Sequence, residues 1–168
     1  MDVLTAVKTR IESRSFADKK VPESVRRDIL EAARMSQSGM NVQHWRFILV
    51  ESPSGTRKLA ELSTTGSWVA GADFAIIVLT DPKYPFHLLD AGRAITSMQL
   101  TAWGYGVGSG LYAGYNVESM KKEFAIPGEL SIAAVLGFGY PDKEVSGKKS
   151  RLPLSQIAFR NMYGTPYQ

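Results

Sequence analysis

The sequence predicts an α+β chain, with helices packed around a small central sheet. Three apolar runs of strand length carry that reading: "RFILVE" (46–51), "FAIIVLT" (74–80) and "LSIAAVLGFG" (130–139), rich in Ile, Val, Leu and Phe. The stretches around them place apolar residues at helical spacing, with helix-start chemistry ahead. No repeat, low-complexity block or linker interrupts the 168 residues, and with 44% hydrophobic and 21% charged residues one domain spanning 1–168 is expected.

The elements follow in order. Val3, Leu4, Val7 and Ile11 fall at roughly helical spacing and predict an amphipathic first helix. Val25, Ile29, Ala32 and Ala33 predict a second, behind "VPES". The runs 46–51 and 74–80 read as strands buried on both faces, because neither alternates with polar residues. Between them, Ser52 and Pro53 open a helix in "SPSGTRKLAEL", since proline suits a first helical position. Residues 86–105 mix small and apolar side chains and predict one long helix in a central position. Asn116 caps a further helix running to Phe124, and 130–139 is the third strand. After Pro153 a short helical piece (154–160) gives way to "NMYGTPYQ". That ending is too aromatic for a solvated tail, so the tail (153–168) is expected to pack on a second subunit.

Composition removes several function classes. Without cysteine there are no disulfides, thiolate metal sites or Cys nucleophiles. The start "MDVLTAVKTR" lacks the basic-then-apolar layout of a signal peptide, and no apolar run approaches a membrane span, so a soluble cytoplasmic protein with no membrane partner is expected. The formal charge of +4 and pI near 9.3 fit either a nucleic-acid surface or anionic small ligands. Lysines and arginines are scattered, with no basic stripe at helical spacing.

The candidate motifs sort by context. Gly108 to Ala113, "GSGLYA", formally matches a dinucleotide fingerprint but follows a predicted helix, whereas that motif works as a strand-to-helix turn. It reads as a Gly-rich turn where backbone approaches something closely. His44 and His87 sit without a G-x-S-x-G serine and read as surface or turn histidines. Two separated histidines without cysteine make no metal site. Arg10 and Arg14 are read one turn apart at the end of the first helix, and "KKSR" places Lys148, Lys149 and Arg151 near the other end of the chain. If these cations converge they form a monophosphate site; otherwise they are solvated surface charge.

Four segments, in order, resemble the FMN-dependent nitroreductase family. "RIESRSF" resembles its "RRSxRxF" start, and "SQSGMNVQHWRFILV" its "APSxxNxQPWxFxVV". "DAGRAITSMQLTAWGYGVGSGLYAGYN" is similar to its long dimer-core helix with the "GLGSxWIGGF" sequel. "IPGELSIAAVLGFGYPDKEVSGKKSRLPL" resembles "iPe…lGyP…KxRxPL". The match is collinear over nearly the whole chain.

The resemblance implies a nitroreductase-like fold with a mostly antiparallel sheet, an intertwined homodimer and FMN at two interface sites. It implies hydride transfer from NADH or NADPH to nitroaromatics, quinones or free flavin by a ping-pong route, with no side-chain acid or base. Carried over, Arg10 contacts the FMN phosphate or ribityl chain, Lys149 with Arg151 clamps the phosphate, and Arg14 lies beside the pyrimidine edge, where a cation stabilises reduced flavin. Ser38, Gly39, Asn41 and Gln43 belong to a turn that reaches in from the partner to cover the flavin, and Trp45 anchors that turn. The Gly114 N–H points at flavin N5 or O4. Some positions depart from the pattern. Glu12 replaces a serine near the phosphate, which it repels unless turned outward or paired. Gln37 and His44 replace two prolines, and Ala113, acidic in some members, carries a backbone role only. The alternatives are a specialised member, such as a reductive dehalogenase or flavin-modifying enzyme, and a basic nucleic-acid or partner-binding domain without flavin.

Overall fold

The computed structural model describes residues 1–143, 147 and 149–167. Its α+β core is a four-stranded, wholly antiparallel sheet in the order β1-β2-β4-β3, with β1 Arg46–Val50, β2 Phe74–Thr80, β3 Gly108–Tyr112 and β4 Ser131–Gly139. Around it lie α1 Val3–Thr9, α2 Glu23–Arg34, α3 Pro53–Glu61, α4 His87–Gly104, α5 Val117–Glu123 and α6 Leu154–Ile157. Among the described residues no helix is long and apolar enough to cross a membrane.

The central strand explains the uninterrupted apolar run. Side chains alternate across a strand, so Phe74, Ile76 and Val78 pack with α2 and α4 on one face, while Ala75, Ile77 and Leu79 pack with α3 and α5 on the other. All seven residues of β2 are buried. On the α2/α4 side Phe74 stacks on Phe138 of β4 at 4.9 Å. β1, expected to be buried on both faces, is instead the edge strand: Arg46 is exposed and Phe47 to Leu49 are half-buried.

Helix starts follow the sequence signals. Ser52 Oγ accepts the Gly55 N–H at 3.0 Å with Pro53 at the first helical position, and Asn116 Oδ1 accepts the Ser119 N–H at 2.9 Å. Val25, Ile29 and Ala33 form the buried stripe of α2. α1 differs from its expectation. It ends at Thr9, so Ile11 lies outside it, and Val3, Leu4 and Val7 are exposed, only Ala6 being buried. Among the described residues no neighbour covers that apolar face.

The Gly-rich stretch is also corrected. Residues 108–112 are not a turn but strand β3, paired with β4 from Gly108↔Gly139 to Tyr112↔Val135. The glycines serve close packing on the sheet: a Cβ at Gly110 would lie 2.7 Å from both the Ser13 carbonyl oxygen and the Trp68 ring. A glycine-rich strand is a poor match to any propensity scale, and what selects it here is a neighbour crossing its face. The tail beyond Pro153 folds back on itself, Arg160 N–H donating to Thr165 O and Tyr167 N–H to Ala158 O. Leu152, Leu154, Ile157, Met162 and Tyr163 remain exposed.

Candidate active site

Two separate groups of the expected residues are built at opposite ends of α4. At its C-terminal end, α1 is tied down by Trp103 Nε1–H, which donates to Thr9 Oγ1 at 2.9 Å. Arg10 is the C-cap of α1, and the chain then runs extended, with Glu12 bridging Ser109 of β3 and Ser13 N–H donating to Ser109 O at 2.9 Å. Arg10 and Arg14 are therefore not one helical turn apart. They lie on an extended segment whose alternation turns Ser13 inward and leaves Glu12 and Arg14 exposed.

Lys149 arrives at this place from the other end of the chain. Its ammonium donates to Val7 O, one of the last carbonyls of α1, where a helix lacks intrahelical donors and a cation is favoured. Partial burial and the nearby charges of Arg10 and Arg151 hold the Lys149 ammonium below the usual lysine range. Three cations thus share one neighbourhood, along an open cleft of about 710 Å3 lined by Val7, Lys8, Gly147, Lys149 and Arg151. Like charges gathered in this way gain from an anion between them. Lys148, read with this group in the sequence, lies outside the described residues.

Glu12 does not face the cluster alone. One carboxylate oxygen pairs with Arg10 at 3.0 Å and the other accepts the Leu111 N–H at 3.1 Å. The repulsion expected from an acid at this position is therefore offset by its own partners. Arg14 lies with its guanidinium carbon 5.9 Å from the centre of the Trp68 ring. Trp68, which the sequence did not single out, crosses Gly110 and Gly137. Its indole nitrogen and Ser13 Oγ are buried without a hydrogen-bond partner among the described residues. Ala113 is exposed. At Gly114 the close approach expected from a flavin is made by the chain itself: a Cβ would lie 2.4 Å from Thr64 Oγ1, and Gly114 O accepts the Thr64 N–H at 2.8 Å.

The second group is the turn after α2. Met40, Asn41 and Gln43 all have φ near +50° to +55°, which for non-glycine residues costs about 1–3 kcal/mol each and must be imposed by surroundings. Several contacts impose it. Ser38 Oγ accepts the Gln43 N–H at 3.1 Å, and the Gln43 amide donates to Asn41 O at 3.1 Å. Gly39 N–H donates to Asp90 of α4 at 3.0 Å, and Gly39 lies so close to the Phe86 ring that a Cβ would sit 2.7 Å from it. Trp45 is buried, as its anchoring role requires.

His44 is not a surface histidine. Its side chain is 1% exposed, 3.2 Å from an Asp90 carboxylate that is itself fully buried, and its ring stacks on Tyr84 at 5.3 Å. His87 is half-buried, with Nδ1 3.0 Å from Thr80 Oγ1. The cue for Asp90 was an acid in the first turn of an otherwise small and apolar helix, "HLLDAGRA"; nothing in the sequence paired it with His44. Among the described residues no group of three or more His, Asp or Glu is placed to hold a metal ion.

The two groups stand apart within one chain. Asp90, beneath the turn, and Trp103, beneath Arg10, are separated along α4 by about 20 Å at 1.5 Å per residue.

Comparison with known proteins bears on the family and the fold. The family model described as "Nitroreductase family" matches residues 7–81 and 64–140. A Methanothermobacter thermautotrophicus protein provisionally named NADH dehydrogenase/NAD(P)H nitroreductase is 35% identical over 149 residues, covering 84% of this chain and 78% of its own. A nitroreductase family protein of Clostridium difficile 630 superposes with a TM-score of 0.85 at 26% identity, covering 98% of this chain and 99% of its own. The fold of an FMN-dependent nitroreductase of Clostridium difficile R20291 is shared at a TM-score of 0.87 and 24% identity, with 95% of this chain and 100% of that one covered.

Proposed function

The chain belongs to the nitroreductase family, and on that premise we propose that it is a homodimeric FMN-dependent oxidoreductase, passing hydride from NADH or NADPH to nitroaromatic, quinone or flavin acceptors. The observation that carries this reading is that Lys149 and Arg151 line one cleft and Arg10, from the opposite end of the sequence, lies close enough to Lys149 to depress its pKa. A cluster of like charges, one of them partly desolvated, suits the phosphate of a mononucleotide.

The chemistry supplied by bound FMN is two-electron exchange at ring N5, first with the nicotinamide and then with the acceptor. The chain's residues bind and orient. Arg10, Lys149 and Arg151 hold the phosphate, with Glu12 steering the Arg10 fork. Arg14, braced by the Trp68 ring, supplies positive charge for the pyrimidine edge, where reduction accumulates negative charge. The backbone at Ala113 and Gly114, fixed by the Thr64 contact, offers its N–H to the ring. No proton-transferring dyad is needed, so orientation provides the rate.

The dimer follows from the separation of the two groups. A turn about 20 Å from the cationic cleft along α4 does not cover the same ring within one chain. A two-fold axis across α4 brings the partner's turn to this chain's cleft. The exposed faces of α1 and of the tail supply apolar surface for that contact. The six-residue connection between β2 and α4, residues 81–86, is pinned by the Asp81–Lys83 pair and the Tyr84–Phe86 stack, which favours an open acceptor face over a lidded, dedicated dehalogenase.

The test is direct. Purified protein should release one FMN per chain on heating and oxidise NADH or NADPH in the presence of a quinone or nitroarene. Protein that takes up no FMN when titrated would remove the reading.

A further inference from the structure

The geometry points to Asp90 as a positioning residue that acts across the dimer: with His44 it sets the shape of the turn that covers the partner's flavin. The inference rests on the flavin reading above and goes beyond it in assigning a residue that touches no ligand. The Asp90 carboxylate is fully buried and accepts from three directions: Gly39 N–H at 3.0 Å, His44 Nε2 at 3.2 Å and Arg93 Nη1 at 3.1 Å. Two of these three donors belong to the turn or its exit, and one lies on α4 itself.

The turn these contacts hold is under strain and points outward. Met40, Asn41 and Gln43 occupy the left-handed region, yet all three are exposed, Met40 at 81%. Backbone strain with no buried side chain to reward it persists only when an anchor over-determines it. A buried carboxylate bonded to a backbone N–H is such an anchor, because moving the turn would strip it of the Gly39 and His44 donors and leave it only Arg93. His44 extends the anchor sideways. Its ring stacks on Tyr84 and lies 6.2 Å from Phe86 and 5.8 Å from Trp45, coupling the turn to the 81–86 connection. The side chains of Asn41 and Gln43 therefore leave a fixed backbone, and Asp90 decides where they emerge.

Three measurements test this. FMN titration by flavin fluorescence should show at least a tenfold higher Kd for Asp90→Asn and His44→Leu, with the dimer intact by light scattering. His44→Gln, which keeps a donor at the Nε2 position, should stay within threefold of wild type. Amide hydrogen exchange of residues 38–43 in flavin-free protein should quicken in Asp90→Asn and His44→Leu only, a readout independent of flavin. If Asp90→Asn fails to fold, the two His44 variants carry both readouts. In a mixed dimer of one Asp90→Asn subunit with one Lys149→Ala/Arg151→Ala subunit, both lesions should fall on one site, leaving one FMN per dimer at the wild-type Kd. Two weakened sites with none at the wild-type Kd would mean that the turn serves its own chain and would overturn the cross-dimer assignment. Unchanged Kd and exchange in the Asp90 and His44 variants would overturn the positioning role while leaving the flavin reading intact. Wild-type protein that binds no FMN would end both the flavin reading and the cross-dimer role, with hydrogen exchange alone then deciding whether Asp90 anchors the turn.

Discussion

The two ends of α4 solve opposite problems. At the C-terminal end, Arg10, Lys149 and Arg151 are long, accessible cations drawn together from segments about 140 positions apart, and like charges crowd one another there. At the N-terminal end, the Ser38–Gln43 turn is short and contiguous, its strain held by a buried carboxylate and an aromatic stack. The first is an electrostatic site whose members have more to gain from an anion than from one another. The second is a mechanical site, finished before any ligand arrives. Such a division suits a cofactor with a charged tail to be gripped and a flat ring to be covered.

The largest expected effect breaks the comparison altogether, by separating the chains of the proposed dimer. Val3→Asp with Leu4→Asp places two carboxylates on the exposed apolar face of α1, away from the cationic cleft, and should convert the proposed dimer to monomer in light scattering. FMN retention should fall to background, because a monomer offers the cleft without the covering turn. A stable monomer with stoichiometric FMN would show that one chain suffices.

Next is the electrostatic end alone. Lys149→Ala with Arg151→Ala removes two charge-assisted contacts, each about 1.5–3 kcal/mol when well formed. Solvent exposure discounts them, so an FMN Kd raised by roughly 10- to 100-fold is expected. Fluorescence titration reads the change, and the dimer and its thermal stability should stay as they are. An unchanged Kd would release the cluster from its role.

The mechanical end should respond in stability as well as in binding. Gly39→Ala drives a methyl into the Phe86 ring at 2.7 Å, and relieving it disturbs the stack with Tyr84 and His44. Overpacking of this kind costs about 1–3 kcal/mol, which corresponds to a Tm lower by roughly 2–12 °C for a domain of this size. A variant with wild-type Tm would mean that Phe86 yields freely.

The smallest effect is a pH dependence confined to the cationic end. Lys149 has a lowered pKa in the free protein, caused first by burial and then by Arg10 and Arg151. A phosphate dianion beside it raises that pKa again, so binding above the free-state pKa requires proton uptake. FMN affinity should accordingly be level from about pH 7, where the phosphate is a dianion, up to the lowered Lys149 pKa, and fall as pH rises through it toward the ordinary lysine value. Lys149→Arg should flatten the profile, since guanidinium stays charged throughout. A flat profile in the wild type would place the ammonium away from the phosphate.

The sequence by itself determined the elements whose signal is local. The unbroken run at 74–80 needed only a sheet covered on both faces, and Ser52 and Asn116 needed only their own helix ends, so the central strand and the caps were legible residue by residue. The cations and the turn were legible as residue types through family resemblance, yet the helical spacing assigned to Arg10 and Arg14 was wrong. A helix that ends at Thr9 cannot be told from one that runs on when its apolar face is not buried within the chain. Only the tertiary structure decided that residues 108–112 are a strand, because that depends on Ser13 and Trp68 crossing three glycine positions of the sheet. Only it brought Lys149 to the end of α1, gave Glu12 its partners and buried His44 against Asp90, 46 positions away. A sequence window reports what each residue prefers alone, whereas burial, ion pairing and left-handed backbone depend on which distant surface arrives beside it.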